Sequence, residues 1–327
     1  MPARRLLAHC LTLAALIVAP AAAAPRGASS ESESWRAAAS AALQQRGNAE
    51  SLASAAAFAF VADPRVRLEP ARSDAALELA ARASALAPGD AAIGWIQVRL
   101  CAITPGCDIR DTATAMRWLD PDNAAAWLPT LNAAEKDKDS VEIDRVIADM
   151  AQGARFDFYW NRIVVMLFDA LKSVARSLPK GAIDSDSSRL ASVRVIAAGE
   201  ILPPLSPLIE ACRESAAATE RREFCQKIAK NLQQGDTILA QLAGLSIERR
   251  FLPADSKEYR ALGERRRVLE WRVASAEKFD APLLPWLKNA HARWRVAQMR
   301  ALRRDEDVLL AILKEAGAPI DPPEIHP

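Results

Sequence analysis

Apolar and polar residues alternate along this chain with the period of an α-helix. In the segment SVEIDRVIADM, apolar residues recur at intervals of three and four, at Ile143, Val146, Ile147 and Met150. Asp139, just before this segment, is placed to cap a helix. A second stripe predicts a face that packs against a neighbouring helix, and it consists of Leu283, Leu287, Ala290, Trp294, Ala297 and Ala301. Strand signals are nearly absent, so the pattern predicts an all-α fold.

Proline and tryptophan recur at a nearly constant spacing in the first half of the chain. The interval from Pro88 to Pro121 matches, to within one position, the intervals from Trp95 to Trp127 and from Trp127 to Trp160. A period of about 34 residues is typical of helix–turn–helix repeats. Because one hairpin cannot bury its apolar face alone, we expect Trp95 and Trp127 to hold successive hairpins together.

The segment LDPDNAAAWLPTLNAA (119–134) resembles the joint between two tetratricopeptide repeats, and ALELAARASALAPGDAAIGW (76–95) resembles the preceding joint. The resemblance is strongest over residues 73–152. It implies an irregular α-solenoid of helical hairpins, TPR-like in its stacking. After residue 188 the repeat fades but helical patterns with more arginine continue, so we expect a helical bundle to follow the solenoid. The alanine-rich composition also resembles that of envelope proteins of high-GC bacteria.

The N-terminus has the features of a secretory signal peptide. Arg4 and Arg5 precede an apolar run at Leu6–Val18, and alanines at 21–24 offer a cleavage site. An uncleaved anchor is the alternative. We therefore expect a periplasmic or secreted protein without a transmembrane segment after cleavage. The expected organisation is a signal peptide at 1–24, a helical-hairpin region at 25–178, a linker at 179–188, an Arg-rich helical region at 189–316 and a Pro-rich tail at 317–327.

Four cysteines remain after the predicted cleavage, and an exported protein meets an oxidising compartment. Four cysteines allow three pairings. The short spacings favour the disulfides Cys101–Cys107 and Cys212–Cys225 over free thiols, with a chain reversal near Ala218. His291 and His326 are too few histidines for a zinc site, so the sequence predicts no metal site and no cofactor.

Charge is balanced overall but concentrated locally. The whole chain has a formal charge of +2, and removal of residues 1–24 takes away two arginines, which leaves it near zero. Residues 256–304 nevertheless carry 13 Lys or Arg against five acids. The predicted partner-binding residues in this segment are Arg265, Arg266, Arg267, Arg272, Arg300, Arg303 and Arg304. Three interpretations stay open: a solvated face with contacts to the acidic part of the chain, a surface for an anionic partner such as a lipid headgroup, cell-wall polymer or acidic protein, and, least favoured, nucleic acid.

Recognisable catalytic motifs are missing from the sequence, which offers no catalytic residue by pattern. The sequence therefore predicts a non-enzymatic scaffold or adaptor that binds an envelope protein or other anionic partner through a helical surface. The alternative is an all-α hydrolase or lyase of the peptidoglycan type that uses paired carboxylates. A cavity lined by two carboxylates would favour that alternative.

Overall fold

A computed structural model describes residues 28–60, 70–181, 183–213, 219–280 and 285–323. The predicted signal peptide, Ala218 and His326 lie outside these residues. The described residues form fifteen α-helices and no β-strand, which confirms the predicted all-α fold. The helices are α1 Ala28–Arg46, α2 Ala49–Ala59, α3 Pro70–Leu86, α4 Ala91–Ile103, α5 Ile109–Leu119, α6 Leu128–Asp137, α7 Ser140–Met150, α8 Trp160–Ser173, α9 Asp186–Ile196, α10 Ser206–Ala211, α11 Thr219–Gln233, α12 Ile238–Arg249, α13 Lys257–Asp280, α14 Pro285–Ala301 and α15 Asp305–Glu315.

From α1 to α7, each helix packs against the next helix along the chain. Helix α4 and the 3-10 turn before α6 each begin with a side-chain cap. The two cap residues, Asp90 and Asn123, are separated by the same interval as Pro88 and Pro121. The carboxylate of Asp90 accepts hydrogen bonds from the first turn of α4, and the amide oxygen of Asn123 accepts one from the 3-10 turn Ala124–Trp127. A cap residue satisfies backbone N–H groups that a helix start leaves unpaired. Helix capping thus explains why Asp and Asn recur at this spacing.

The buried apolar side chains form one hydrophobic cluster, whose members extend from Trp35 in α1 to Leu313 in α15. Contacts between distant parts of the chain join α7 to α11, α6 to α10 and α2 to α8. Helices from both predicted regions therefore share one core, while the region boundaries drawn from the sequence stay predictions.

The two helical stripes predicted from the sequence have different outcomes. All four apolar residues of the α7 stripe are buried, and Asp139 caps α7 through the N–H of Glu142.

The predicted seam of α14 is wrong, because Ala290, Ala297 and Ala301 are exposed. Its first member, Leu283, lies outside the described residues. The residues of α14 that enter the core are Ala292, Val296 and Met299. Val and Met bury more apolar area than Ala, so this face of the helix gains more from burial.

Both predicted disulfides are confirmed. Cys101 at the end of α4 is bonded to Cys107 across a turn in which Gly106 has a φ of +84°. Cys212, which follows α10, is bonded to Cys225 in α11, and their Cα atoms are 5.6 Å apart. Two disulfides are compatible with a secreted or periplasmic protein, where thiols are oxidised.

Candidate functional site

All seven arginines that were predicted to bind a partner make ion pairs within the chain. Four of them lie on α13, Arg300 lies at the end of α14, and Arg303 and Arg304 lie between α14 and α15. The pairs are Arg265, Arg272 and Arg304 with Glu306, Arg272 with Asp321, Arg266 with Glu270, Arg267 with Glu264, Arg300 with Asp169, and Arg303 with Asp157. Each arginine therefore has an intramolecular role, and its contact with a partner stays a prediction.

Three of these arginines meet at one carboxylate. Glu306, in the first turn of α15, keeps only 3% of its side chain exposed. It accepts hydrogen bonds from Arg265 at 2.8 Å and from Arg272 and Arg304 at 2.6 Å. A buried carboxylate is tolerated when charged donors surround it, as they do here. The cluster fixes α13 against the start of α15.

A cluster of two aspartates, Asp157 and Asp236, lies at the N-terminus of α8. The side chain of Asp236, which precedes α12, accepts hydrogen bonds from the backbone N–H groups of Phe158 and Trp160, both at 2.9 Å. Asp236 is fully buried, and Asp157 is the acidic neighbour that acts on its carboxyl. Burial, and then the neighbouring negative charge of Asp157, raise the pKa of Asp236 well above its ordinary value. The carboxyl of Asp236 is therefore harder to ionise than that of an exposed aspartate.

Tyr159 connects this cluster to the preceding turn of the chain. Its hydroxyl donates to Asp120 and accepts a hydrogen bond from the side-chain amide of Asn123 at 3.0 Å. Burial is the main reason why the pKa of Tyr159 is raised. Its backbone has a φ of +56°, which is uncommon for a residue with a Cβ. Trp95 packs against Phe158 and Tyr159 with ring centroids 5.7 and 6.4 Å away. Packing and hydrogen bonds together hold this backbone conformation.

Sequence reasoning missed this network of aspartates. Its members come from segments that are far apart in the chain, because the four helices α8 to α11 lie between Asp157 and Asp236. The one local signal is the pair of segments LDPDN (119–123) and RFDFYW (155–160), each rich in hydrogen-bonding side chains next to aromatic or apolar ones. Nothing in that signal indicates which carboxylates meet.

A cavity of about 420 Å³ opens beside this cluster, between α8 and the end of α14. Asp157 and Asp169 are among its lining residues, together with Arg162, Arg300 and Arg303. Arg303 binds Asp157 at 3.1 Å, and Arg300 binds Asp169 at 2.5 Å. Asp236, the aspartate whose pKa is raised, is fully buried and is not among the residues that line the cavity.

A groove of about 180 Å³ lies between α4, α5 and the end of α3. Small residues at Ala87, Gly94 and Ala115 form part of its lining. Trp118 lies one helical turn after Ala115 on α5 and has 83% of its surface exposed. Leu86, next to Ala87, is 59% exposed. Trp118 and Leu86 do not line the groove themselves, but each is an exposed large apolar side chain next to a lining residue.

The three tryptophans of the predicted spacing are covered to different degrees. Trp95 is fully buried and Trp160 is 7% exposed. Trp127 is partly buried, and the guanidinium groups of Arg117 and Arg145 lie 4.3 and 5.6 Å from its ring centre. Cations over an aromatic face are attracted to its negative charge density. Trp95 thus joins α4 to the loop before α8, and Trp127 contacts α5 and α7.

Two further properties of the described residues bear on function. None of their helices combines the length and apolarity needed to cross a membrane. They also contain no group of three or more His, Cys, Asp or Glu side chains arranged to hold a metal ion. Comparisons with protein-family models, curated proteins and solved structures found no match to this chain.

Proposed function

We propose that this protein is a non-enzymatic adaptor of the cell envelope, which binds a protein partner in the groove beside Trp118. The observation that carries the proposal is the exposure of Trp118, the most exposed of the large apolar side chains of the described residues. Tryptophan is enriched among the residues that dominate the binding energy of protein interfaces. The predicted signal peptide and the two disulfides support a location outside the cytoplasm.

The lining of the groove indicates which kind of partner fits it. Ala87, Gly94 and Ala115 have small side chains, so another backbone can approach the helices closely. Asp111 is exposed on the same face of α5 as Ala115 and Trp118. An amphipathic helix with an apolar face and a flanking Lys or Arg therefore complements this surface in shape and charge.

The proposal is tested by photo-crosslinking from a residue placed at position 118 in the living envelope. A matched control carries the same crosslinking residue at Val195 on α9, which is 73% exposed. We expect an adduct with one protein from position 118 that position 195 does not form. The same adducts from both positions, or none from position 118, would contradict the proposal.

The captured protein is then purified and its affinity for the full chain is measured. Trp118→Ala removes an exposed side chain, so the stability of the fold should change by less than about 0.5 kcal/mol. We expect this variant to weaken the partner's Kd by at least about tenfold, because a buried interface Trp commonly contributes that much. Val195→Ala serves as the control and should leave the Kd unchanged. An unaltered Kd in Trp118→Ala would refute the groove as the binding site.

A hydrolase or lyase with paired carboxylates is the second candidate, and the cavity lined by Asp157 and Asp169 is the observation that favours it. Against it, both carboxylates are already paired with arginines, so their oxygens are engaged within the chain rather than directed at a substrate. Release of soluble fragments from purified peptidoglycan, measured for the wild type and for Asp169→Asn, tests this function. Activity that disappears in Asp169→Asn would establish it.

A further inference from the structure

A pocket of about 230 Å³ lies between α9 and α14, away from the groove beside Trp118. Its lining includes Arg194, Lys288, His291 and Arg295, and none of the described lining residues is acidic. The pocket is therefore electropositive in its immediate lining.

Helical periodicity explains why these basic residues meet. On α9, Ser187 and Arg194 are seven residues apart, and on α14, Lys288 and Arg295 are also seven residues apart. Residues at this separation lie on the same face of a helix, two turns apart. Since α9 packs against α14, each helix presents one such face to the pocket.

Further contacts hold the walls of the pocket in place. The side-chain oxygen of Asn289 on α14 accepts a hydrogen bond from the backbone N–H of Ser187 at 3.1 Å, which joins the start of α9 to α14. The ring of His291 stacks on Trp294 with centroids 5.7 Å apart. Arg295 is only 4% exposed, so its long side chain is ordered before any ligand arrives.

Two of these cations also interact with an acidic residue, Asp305. Asp305, which begins α15, is partly buried, and the charges of Arg194 and Arg295 favour its ionised form. Burial nevertheless raises the pKa of Asp305, so the positive charges only partly compensate for the loss of water around its carboxylate. Lys288 adds a further positive charge to the lining.

We propose that this pocket binds the phosphate group of a phosphomonoester. Guanidinium groups match the geometry of phosphate oxygens and bind them through paired hydrogen bonds. Cationic side chains from two helices suit a group that carries up to two negative charges. Because pockets for drug-sized ligands are usually about 300–1,000 Å³, this smaller pocket accepts the phosphate and little beyond it. The rest of the ligand, whether a soluble molecule or a lipid, stays outside the pocket.

The proposal is tested on the full exported chain with inorganic phosphate and with vesicles. Phosphate is titrated calorimetrically at constant ionic strength, with chloride as the reference anion. Vesicles of phosphatidylcholine with and without phosphatidic acid, whose headgroup is a phosphomonoester, are used in co-sedimentation. Binding of free phosphate identifies a soluble source, and binding only to phosphatidic acid vesicles identifies a lipid headgroup.

Three variants remove one positive charge each. Lys288→Gln and Arg194→Gln change the pocket, and Arg293→Gln changes the same helix outside the pocket, where Arg293 is 55% exposed and pairs with Asp186. We expect the two pocket variants to weaken binding of phosphate or of phosphatidic acid vesicles by about tenfold or more, since each removes a charge-assisted hydrogen bond. Arg293→Gln should weaken it by less than about twofold, as a surface charge acts only through screened attraction.

Equal losses in all three variants, or no binding of either probe, would overturn the proposal. Because Trp118 is not in this pocket, the result is independent of the adaptor's groove.

Discussion

Substitution of Glu306 tests whether the arginine cluster is held together by one buried carboxylate. Glu306→Gln keeps the shape of the side chain but removes the charge that three guanidinium groups share. Removing one partner of a buried ion pair usually costs about 3–5 kcal/mol, because the remaining charge is left without compensation. Arg265 keeps 40% of its side chain exposed and Arg304 keeps 22%, so water can solvate part of the freed charge. We therefore expect a loss of about 2–3 kcal/mol in the free energy of unfolding.

Urea unfolding followed by far-ultraviolet circular dichroism under non-reducing conditions measures this loss through the transition midpoint at constant m. Glu270→Gln is the matched control, because Glu270 pairs with Arg266 at 2.7 Å but is 51% exposed. A surface pair of this kind contributes about 0–1 kcal/mol. If Glu306→Gln were no more destabilising than Glu270→Gln, the assignment of Glu306 as the centre of the cluster would be refuted.

The same variant separates the two uses of the arginines. If Arg265, Arg272 and Arg304 serve only the fold, Glu306→Gln loses stability and its retention on an anionic resin changes little. If the three arginines also bind an anionic partner, loss of the competing carboxylate frees them, and the folded variant should elute from the resin at higher salt than the wild type.

Three further outcomes are expected. An ideal Cβ on Gly244 in α12 would lie 2.5 Å from a backbone carbonyl oxygen of α11, so Gly244→Ala should lower the free energy of unfolding in urea by about 1–3 kcal/mol. An ideal Cβ on Gly263 in α13 meets nothing closer than 3.9 Å, so Gly263→Ala should stabilise α13 by up to about 1 kcal/mol. Shifts of the same sign in the two variants would contradict this packing. Replacement of Cys212 and Cys225 by Ser opens a 13-residue loop and should cost about 3 kcal/mol, and an unchanged melting temperature would show that the bond does not constrain the unfolded chain. The pKa of Asp236 is higher in the folded protein than its value of about 3.9 in the unfolded chain, so protonation of Asp236 stabilises the fold at low pH. This contribution to stability is lost as the pH rises from the unfolded pKa through the folded pKa. The stability advantage of the wild type over Asp236→Asn should therefore be larger at pH 5 than at pH 8, and an advantage independent of pH in urea unfolding would show that the folded and unfolded pKa values are alike.

Local chemistry made several features predictable from the sequence. The α7 stripe and its Asp139 cap involve residues close together in the chain, and the cysteines of each pair are six and 13 residues apart. The α14 seam failed for a different reason. Its alanines have the correct spacing for a packed face, but spacing alone does not say which of two faces buries more area, and Val296 and Met299 decide this in favour of the other face.

Ion pairs between distant segments could not be predicted, because the linear sequence offers many acidic residues as partners for each arginine. Arg300 meets Asp169, 131 residues away, and Arg303 meets Asp157, 146 residues away. The groove beside Trp118 could not be predicted from the sequence, for a related reason. A single exposed Trp in α5 has no periodic signal, and only the position of α3 and α4 beside it turns the helix face into a groove.

The excess charge of residues 256–304 shows why a charge count along the sequence is a poor measure of the field at the surface. The acids outside this segment that pair with its arginines are Asp157, Asp169, Asp186, Glu306 and Asp321. Once these pairs form, the long-range field of the arginines of α13 and α14 is reduced. The basic residues of the pocket between α9 and α14 also interact within the chain, through Asp305, but they line a space that a ligand can enter. The structure thus narrows the argument for an anionic ligand from the whole of residues 256–304 to Lys288 and Arg295 within that segment, together with Arg194 on α9.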